Sequence, residues 1–307
     1  MSQFSSQSAT LIYSHRAGSP RDSVARLERV RALLRDADLQ PEVVLTHTAA
    51  EVTAAAATAV RNGAGLVITC GGDGTIESAA NALVNTTVPL GILPAGTRNN
   101  IARSLGIPLN LAKAVTLLRS GEERAISAGL ARCGGQERWF LETFTVGLFS
   151  ALFPHADAIQ KGDLRRVGDL FMTFINAPTA KIHLSIDDGA ETIEASAQAV
   201  LGVNMPLIAA NWQMAGGITL DDEHLDIFIY DRLDKFDFLA YGFDVVTGIP
   251  EDPDIRRVRA HTVTVHTEPA LTVMADGFPL GEGAVDVRLA PASLRVITPS
   301  APPLPAP

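Results

Sequence analysis

Cys70-Gly71-Gly72-Asp73-Gly74-Thr75-Ile76-Glu77 decides how this 307-residue chain folds. The segment stands between an apolar run, Gly65–Cys70, and a helical pattern over Ile76–Val84. A strand that turns on glycines into a helix is how an α/β sheet builds an anion site. The three glycines let the backbone take positive φ and come close to a ligand. The helix beginning near Thr75 adds free N–H groups and the positive end of its dipole. An acidic Asp73 beside bare phosphate implies a cation, a water or a substrate hydroxyl between the two. Taken alone, the segment equally fits a plain Asp-Gly turn with a threonine cap. There is no GxxxxGK, which excludes the usual P-loop, and no GxGxxG of a dinucleotide fold.

Twenty residues on, Leu90-Gly91-Ile92-Leu93-Pro94-Ala95-Gly96-Thr97-Arg98-Asn99-Asn100 repeats the sequence of strand, glycine turn, hydroxyl and helix start. Both turns follow consecutive strands, so both can lie at the carboxyl edge of one sheet and form one nucleotide site. The flanks agree. Thr10–Tyr13 is a short apolar strand, and Val24, Leu27, Val30 and Leu34 recur at helical spacing over Arg21–Asp36. Pro41 precedes a strand at Val43–Leu45, and an Ala-rich helix follows over Ala49–Val60. Pro89–Leu93 is a further strand, and a helix over Asn99–Leu105 is closed by Gly106 and Pro108. Strands alternating with helices at these lengths predict a parallel sheet covered on both faces. After about Ser127 the texture changes. Lys181–Ile186, Ala199–Asn204, Leu225–Tyr230, Thr262–His266 and Leu271–Met274 are short and rich in Val, Ile and Thr, the pattern of an antiparallel β-domain.

Composition narrows the function classes. With 25 basic and 34 acidic residues, 25 − 34 gives a net charge of −9, which argues against a general nucleic-acid binder and against an electrostatic anchor on anionic lipid. Apolar residues make up 47% of the chain, enough to bury a core, and the length predicts two domains. Cys70 and Cys133 form no CxxC pair, so neither a disulfide framework nor a thiolate metal site is expected. The polar start MSQFSSQSAT is not a secretory signal, and no apolar run reaches membrane-spanning length. A cytoplasmic protein follows by elimination.

GGDGT followed by LGILPAGTRNNIARSLGIP resembles the diacylglycerol kinase catalytic family, which includes sphingosine and ceramide kinases and bacterial lipid kinases. The resemblance runs from about Leu11 to Pro299. Ser14–Gly18 falls at the family's Asn-Pro-x-x-Gly turn, Gly216–Asp226 at its A-x-x-D-D-G-x-L-D segment, and Asp276-Gly277-Phe278 at its Asp-Gly-Glu. GGDGT alone is shared with NAD kinases and phosphofructokinases; the GTxN turn and the late segments single out the lipid-kinase branch. The resemblance implies an α/β nucleotide-binding domain of the NAD kinase and diacylglycerol kinase type over residues 8–126, with residues 290–300 returning to it. It implies a β-sandwich-like acceptor domain over residues 127–289, with residues 1–7 and 301–307 frayed.

Its implied activity is ATP-dependent transfer of the γ-phosphoryl group to a lipid hydroxyl, with a diacylglycerol-like or related lipid as the acceptor met at a membrane surface. The protein would then touch the inner face of the membrane peripherally, as a monomer or a homodimer. Gly71, Gly72, Asp73, Gly74, Thr75, Ile76, Glu77, Gly96, Thr97, Asn99 and Thr46 would contact ATP, with Thr48 competing for the last place. Mg²⁺ would be held at Thr219, Asp222 and His224, the outer two through their carbonyls. Asp73 and Asp276 would be the catalytic carboxylates. Several positions depart from the family. Phe278 stands at the motif glutamate and can neither take a proton nor bind metal, while Glu282 lies a few residues on as a substitute. Ser14 replaces Asn, His15 replaces Pro, Asn100 replaces Asp, and Glu142 stands where Asn is common. A catalytically weak nucleotide- and lipid-binding protein is therefore one alternative, and an NAD-kinase-like enzyme another.

The remaining candidates carry less. Lys161, Arg165 and Arg166 form a basic cluster suited to a phosphate, a membrane surface or plain solvent, and Arg256, Arg257 and Arg259 read as a surface charge run. Trp139 and Trp212 read as core or rim of the β-domain, and Phe149, Leu152 and Phe153 as a lipid pocket or core. No histidine pair has metal-ligand spacing.

Overall fold

The computed structural model describes residues 8–15, 20–152, 155, 163, 165–207, 218, 220, 223–231 and 255–300. The chain divides into two compact units, one of Met1–Ala128, Leu207–Gln213 and Pro291–Pro307, the other of Gly129–Pro206 and Met214–Ala290. The family's two domains appear in this order: an α/β unit, then a β-sandwich-like one.

In the first unit, strands β1 (Ala9–Ser14), β2 (Glu42–Thr46), β3 (Leu66–Gly71) and β4 (Leu90–Pro94) pair in parallel in the order β2-β1-β3-β4. Strands β3 and β4 are buried along their whole length, as a parallel sheet covered by helices requires. The helices are α1 (Pro20–Asp36), α2 (Ala49–Arg61), α3 (Asp73–Leu83), α4 (Asn100–Ser104) and α5 (Leu111–Ser120). Thr48 caps α2 through its side chain, accepting the Glu51 amide at 3.2 Å, and Asn110 caps α5, accepting the amides of Ala112 and Lys113. The sequence reading missed α5, although Asn110 followed by apolar residues at 114, 115, 117 and 118 is a legible start signal.

Strand β5 (Glu122–Cys133) leads into the second unit and pairs with β6 (Gln136–Phe140). Then come β7 (Thr143–Gly147), α6 (Arg166–Asn176), β8 (Ala180–Ile186), β9 (Glu191–Ala197), β10 (Ala199–Val203), β11 (Leu225–Ile229), β12 (Arg256–Ala260), β13 (Thr262–Glu268), β14 (Thr272–Ala275), β15 (Phe278–Glu282) and β16 (Val285–Thr298). One antiparallel sheet runs β12-β11-β10-β7-β14-β15, and β13 is held between β8 and β16. The alternation along β8, buried at every second residue, is that of a sheet with one face on a core. Phe140, Phe144, Ile182, Leu184, Val200, Ile227, Val263 and Val273 lie in one shared core between the layers. Strand β16 gives residues 285–288 to β13 and then places Val296 beside Leu90 of β4.

Glycine makes room for the core aromatics. Gly202 faces Phe144 across the β7–β10 pair, and a Cβ there would fall inside the Phe144 ring; Gly129 stands in the same relation to Phe140. Gly202→Ala is expected to destabilise the protein by about 1–3 kcal/mol or more, because backbone and a fully buried ring cannot both yield. Urea denaturation compared with the parent checks this; an unchanged midpoint would refute the packing assignment.

Candidate functional site

The two glycine turns meet backbone to backbone. A Cβ built on Gly96 would lie 2.5 Å from the Gly72 Cα, so the turns close on each other only because both residues are glycine. The Ala95 amide donates to the Gly71 carbonyl at 2.8 Å, which continues the β3–β4 pairing into the turns. A Cβ on Gly71 would collide with the Thr75 side chain. Gly72 is the N-cap of α3, and no side chain caps that end. Within that first turn the Thr75 amide donates to the Gly72 carbonyl at 2.9 Å. The helix starts at Asp73, two residues earlier than the glycines suggested, because Gly72 takes the extended conformation of a cap (φ −92°, ψ −173°).

Asp73 ties one turn to the other. Its Oδ1 accepts the Ile101 amide of α4 at 3.1 Å. Burial pushes the Asp73 carboxyl above its ordinary range, against the pull of the Ile101, Asn100 and Asn99 amides. Asn99 has left-handed backbone (φ 54°, ψ 42°), and its side chain folds back on Gly96, accepting its amide and donating to its carbonyl, each at 2.9 Å. Asn99 thus braces the second turn from within. Thr97 is exposed, Thr75 is half-buried, and Gly74 is exposed, while Ile76 and Glu77 are buried. Thr46 is buried at the end of β2 and donates to the Tyr13 carbonyl at 3.3 Å. Thr48, its competitor, is committed to capping α2.

Asp276 and Gly277 join β14 to β15 in a two-residue hairpin with positive φ at both (46° and 73°), the pattern that favours Asp-Gly. The Asp276 carboxylate accepts three amide hydrogens from the β6–β7 connection: Leu141 at 2.6 Å, Glu142 at 3.0 Å and Thr143 at 2.8 Å. Its own amide donates to the Thr143 carbonyl at 2.9 Å. Burial pushes the carboxyl up to about 6, against those three amides and the charge of Arg138. The Phe278 ring lies beneath the Arg138 guanidinium, 3.5 Å from its centroid, a cation–π contact where the family has a glutamate. Glu282 is exposed at the far end of β15, about 13 Å along the strand from Phe278 at ~3.3 Å per residue, so it does not fill that place.

Of the expected metal positions, Thr219 and Asp222 lie outside the described residues, and the His224 ring stands 4.2 Å from that of His261. Among the described residues no group of three or more His, Cys, Asp or Glu comes together to hold a metal ion. Lys161, Phe153 and Trp212 also lie outside the described residues. Arg166 pairs along its own helix with Asp169 at 2.9 Å, and Phe149 meets Tyr230 edge to face at 5.0 Å. Arg256, Arg257 and Arg259 are not a surface charge run. Arg257 and Arg259 converge on Oδ1 of the fully buried Asp226, at 2.7 and 3.3 Å, and Arg256 pairs with Asp231 at 2.9 Å. The last aspartate of the D-D-x-x-L-D segment needs those charges to be buried at all. Both cysteines are buried and free, and burial pushes the Cys70 thiol up to about 12. No described helix is long and apolar enough to cross a membrane.

Residues 8–131 match the diacylglycerol kinase catalytic domain, and residues 170–298 match the YegS C-terminal NAD kinase beta sandwich-like domain. The chain is similar to an uncharacterized protein of Synechocystis, 29% identical over 249 residues, covering 77% of this chain but 55% of that longer protein. A diacylglycerol kinase of Mycobacterium tuberculosis is 27% identical over 248 residues, 79% of this chain and 80% of its own. The crystal structure of a "putative diacylglycerol kinase" from Bacillus anthracis superposes with a TM-score of 0.78 at 25% identity, covering 96% of both chains. With both of its domains matched in order, and the paired glycine turns in place, the chain belongs to the diacylglycerol kinase catalytic-domain family.

Proposed function

We propose that this chain is an ATP-dependent lipid kinase that transfers the γ-phosphoryl group to a lipid hydroxyl. The observation that carries the reading is the contact of Gly72 with Gly96, which turns two separate strand–helix connections into one anion cradle. The residues present suit a nucleotide: a helix start with a glycine N-cap, an exposed Thr97 residue, and glycines where a Cβ would fill the space. Bound ATP, with a divalent cation of the Mg²⁺ kind, supplies the phosphoryl group and neutralises its charge. Gly71, Gly72, Gly74, Thr75 and Gly96 take its phosphates through the backbone, while Thr46, Ile76, Glu77 and Asn99 shape the cradle from beneath. Asp73, held on α4 through the Ile101 amide, orients the reacting groups. In the second unit, the Asp276 carboxylate, positioned by three amide hydrogens, takes the proton of the acceptor hydroxyl. The acceptor is a lipid of the diacylglycerol type or a related lipid, reached by peripheral contact of a cytoplasmic protein with the inner face of the membrane.

A second reading has its own observation. Phe278 under Arg138 leaves the Asp-Gly turn one carboxylate short, which suits a protein that binds nucleotide and lipid with little turnover. Incubation with γ-labelled ATP, mixed lipids and NAD separates these readings. Label in the lipid phase supports the kinase. Label in NAD would support an NAD-kinase-like enzyme, and bound nucleotide without any transfer would support the binding protein.

A further inference from the structure

We propose that His15 and His47 form the base-stacking platform of the nucleotide seat, taking the adenine ring of ATP; this rests on the kinase reading and specifies its nucleotide subsite. The two imidazoles are stacked, with centroids 5.4 Å apart and planes 13° from parallel. Behind them the Tyr13 ring meets His15 edge to face, at 6.3 Å and 89°. The three rings form a ladder from core to surface, since Tyr13 is buried, His15 half-buried and His47 exposed. Each rung is fixed. The Tyr13 hydroxyl donates to the Ser23 carbonyl at 2.7 Å, the His15 amide donates to the Thr46 carbonyl at 3.0 Å, and the His47 amide donates to the Glu51 carboxylate at 2.7 Å.

Position gives the ladder its occupant. His15 follows β1 and His47 follows β2, so both stand at the carboxyl edge where β3 and β4 end in the phosphate turns. The order β2-β1-β3-β4 puts them one and two strand spacings from Gly72, about 5 and 10 Å. That is the reach of a nucleotide laid across the edge with its phosphates over β3 and β4. A flat, partly exposed ring pair at that distance fits a purine face, which any aromatic surface can stack. The family's turn has proline at the position of His15, so its general pattern does not contain this ladder.

Calorimetric titration of the full chain with ATP and with tripolyphosphate tests the proposal. His47→Ala is expected to weaken ATP about 10-fold and to leave tripolyphosphate unchanged, with His47→Phe restoring ATP binding. His15→Ala should behave as His47→Ala does. Unchanged ATP affinity in both alanine variants would overturn the platform alone, as would an equal loss for tripolyphosphate, which would make the imidazoles phosphate ligands. A folded wild-type chain that binds no ATP would overturn the nucleotide reading together with it.

Discussion

Gly96→Ala is expected to abolish measurable nucleotide binding, a loss of at least about 100-fold, while costing about 1–3 kcal/mol of stability. The new methyl would stand 2.5 Å from the Gly72 Cα, 3.3 Å from the Gly72 nitrogen and 3.0 Å from Asn99 Oδ1. Two of those three atoms are backbone, so no rotamer change relieves the overlap and one turn must move off the other. Gly72→Ala makes the reciprocal test, and it should be milder, because its Cβ would meet Gly96 Cα at 3.1 Å. The ranking distinguishes a shared cradle from two independent turns. Calorimetry with ATP and thermal denaturation of both variants check it; equal, wild-type affinities would separate the turns from the nucleotide.

Asp276→Asn is expected to lower phosphoryl transfer about 100-fold or more, the usual scale for removing a proton acceptor. It should also destabilise the second unit by about 1–3 kcal/mol, since the amide oxygen can keep the Glu142 and Thr143 hydrogens but the amide nitrogen cannot accept the Leu141 hydrogen. The pH dependence separates chemistry from folding. The carboxyl titrates at about 6, above its ordinary 3.8, so transfer by the parent should rise as pH climbs through 6 and Asp276 ionises. Stability should move the other way. Between pH 3.8 and about 6 the folded chain holds a proton that the unfolded chain has released, so raising the pH through that window removes stability. Asp276→Asn should flatten both trends; an acid limb that survives the substitution would assign the titration to another group.

Both domains were legible because each announces itself through spacing: strands of apolar residues ending in glycine turns before Ile76 and Ile101, and alternation along 180–186 after Ser127. The glycines at 72 and 96 could be placed at one sheet edge from sequence, but their mutual contact could not, since it depends on how two turns pack across the β3–β4 pair. Asn99 and Thr46 were read as groups facing ligand, yet their polar atoms are turned inward, onto Gly96 and onto the Tyr13 carbonyl. Residue type tells what a side chain can bond, not which partner is nearer. Asp226 with Arg257 and Arg259 failed for the same reason: the charges lie more than thirty residues apart and meet only through the β11–β12 register. The Asp276 amide nest was likewise hidden, because its partners at 141–143 are backbone groups that carry no side-chain signal.

The most direct measurement is the label extracted into the lipid phase after incubating γ-labelled ATP with the chain and a panel of diacylglycerol, phosphatidylglycerol, sphingoid bases and polyprenols. The account predicts a labelled lipid from the parent and about 100-fold less, or none, from Asp73→Ala, with the variant still folded by circular dichroism. No labelled lipid from the folded parent with Mg²⁺ present, or label undiminished in Asp73→Ala, would contradict it.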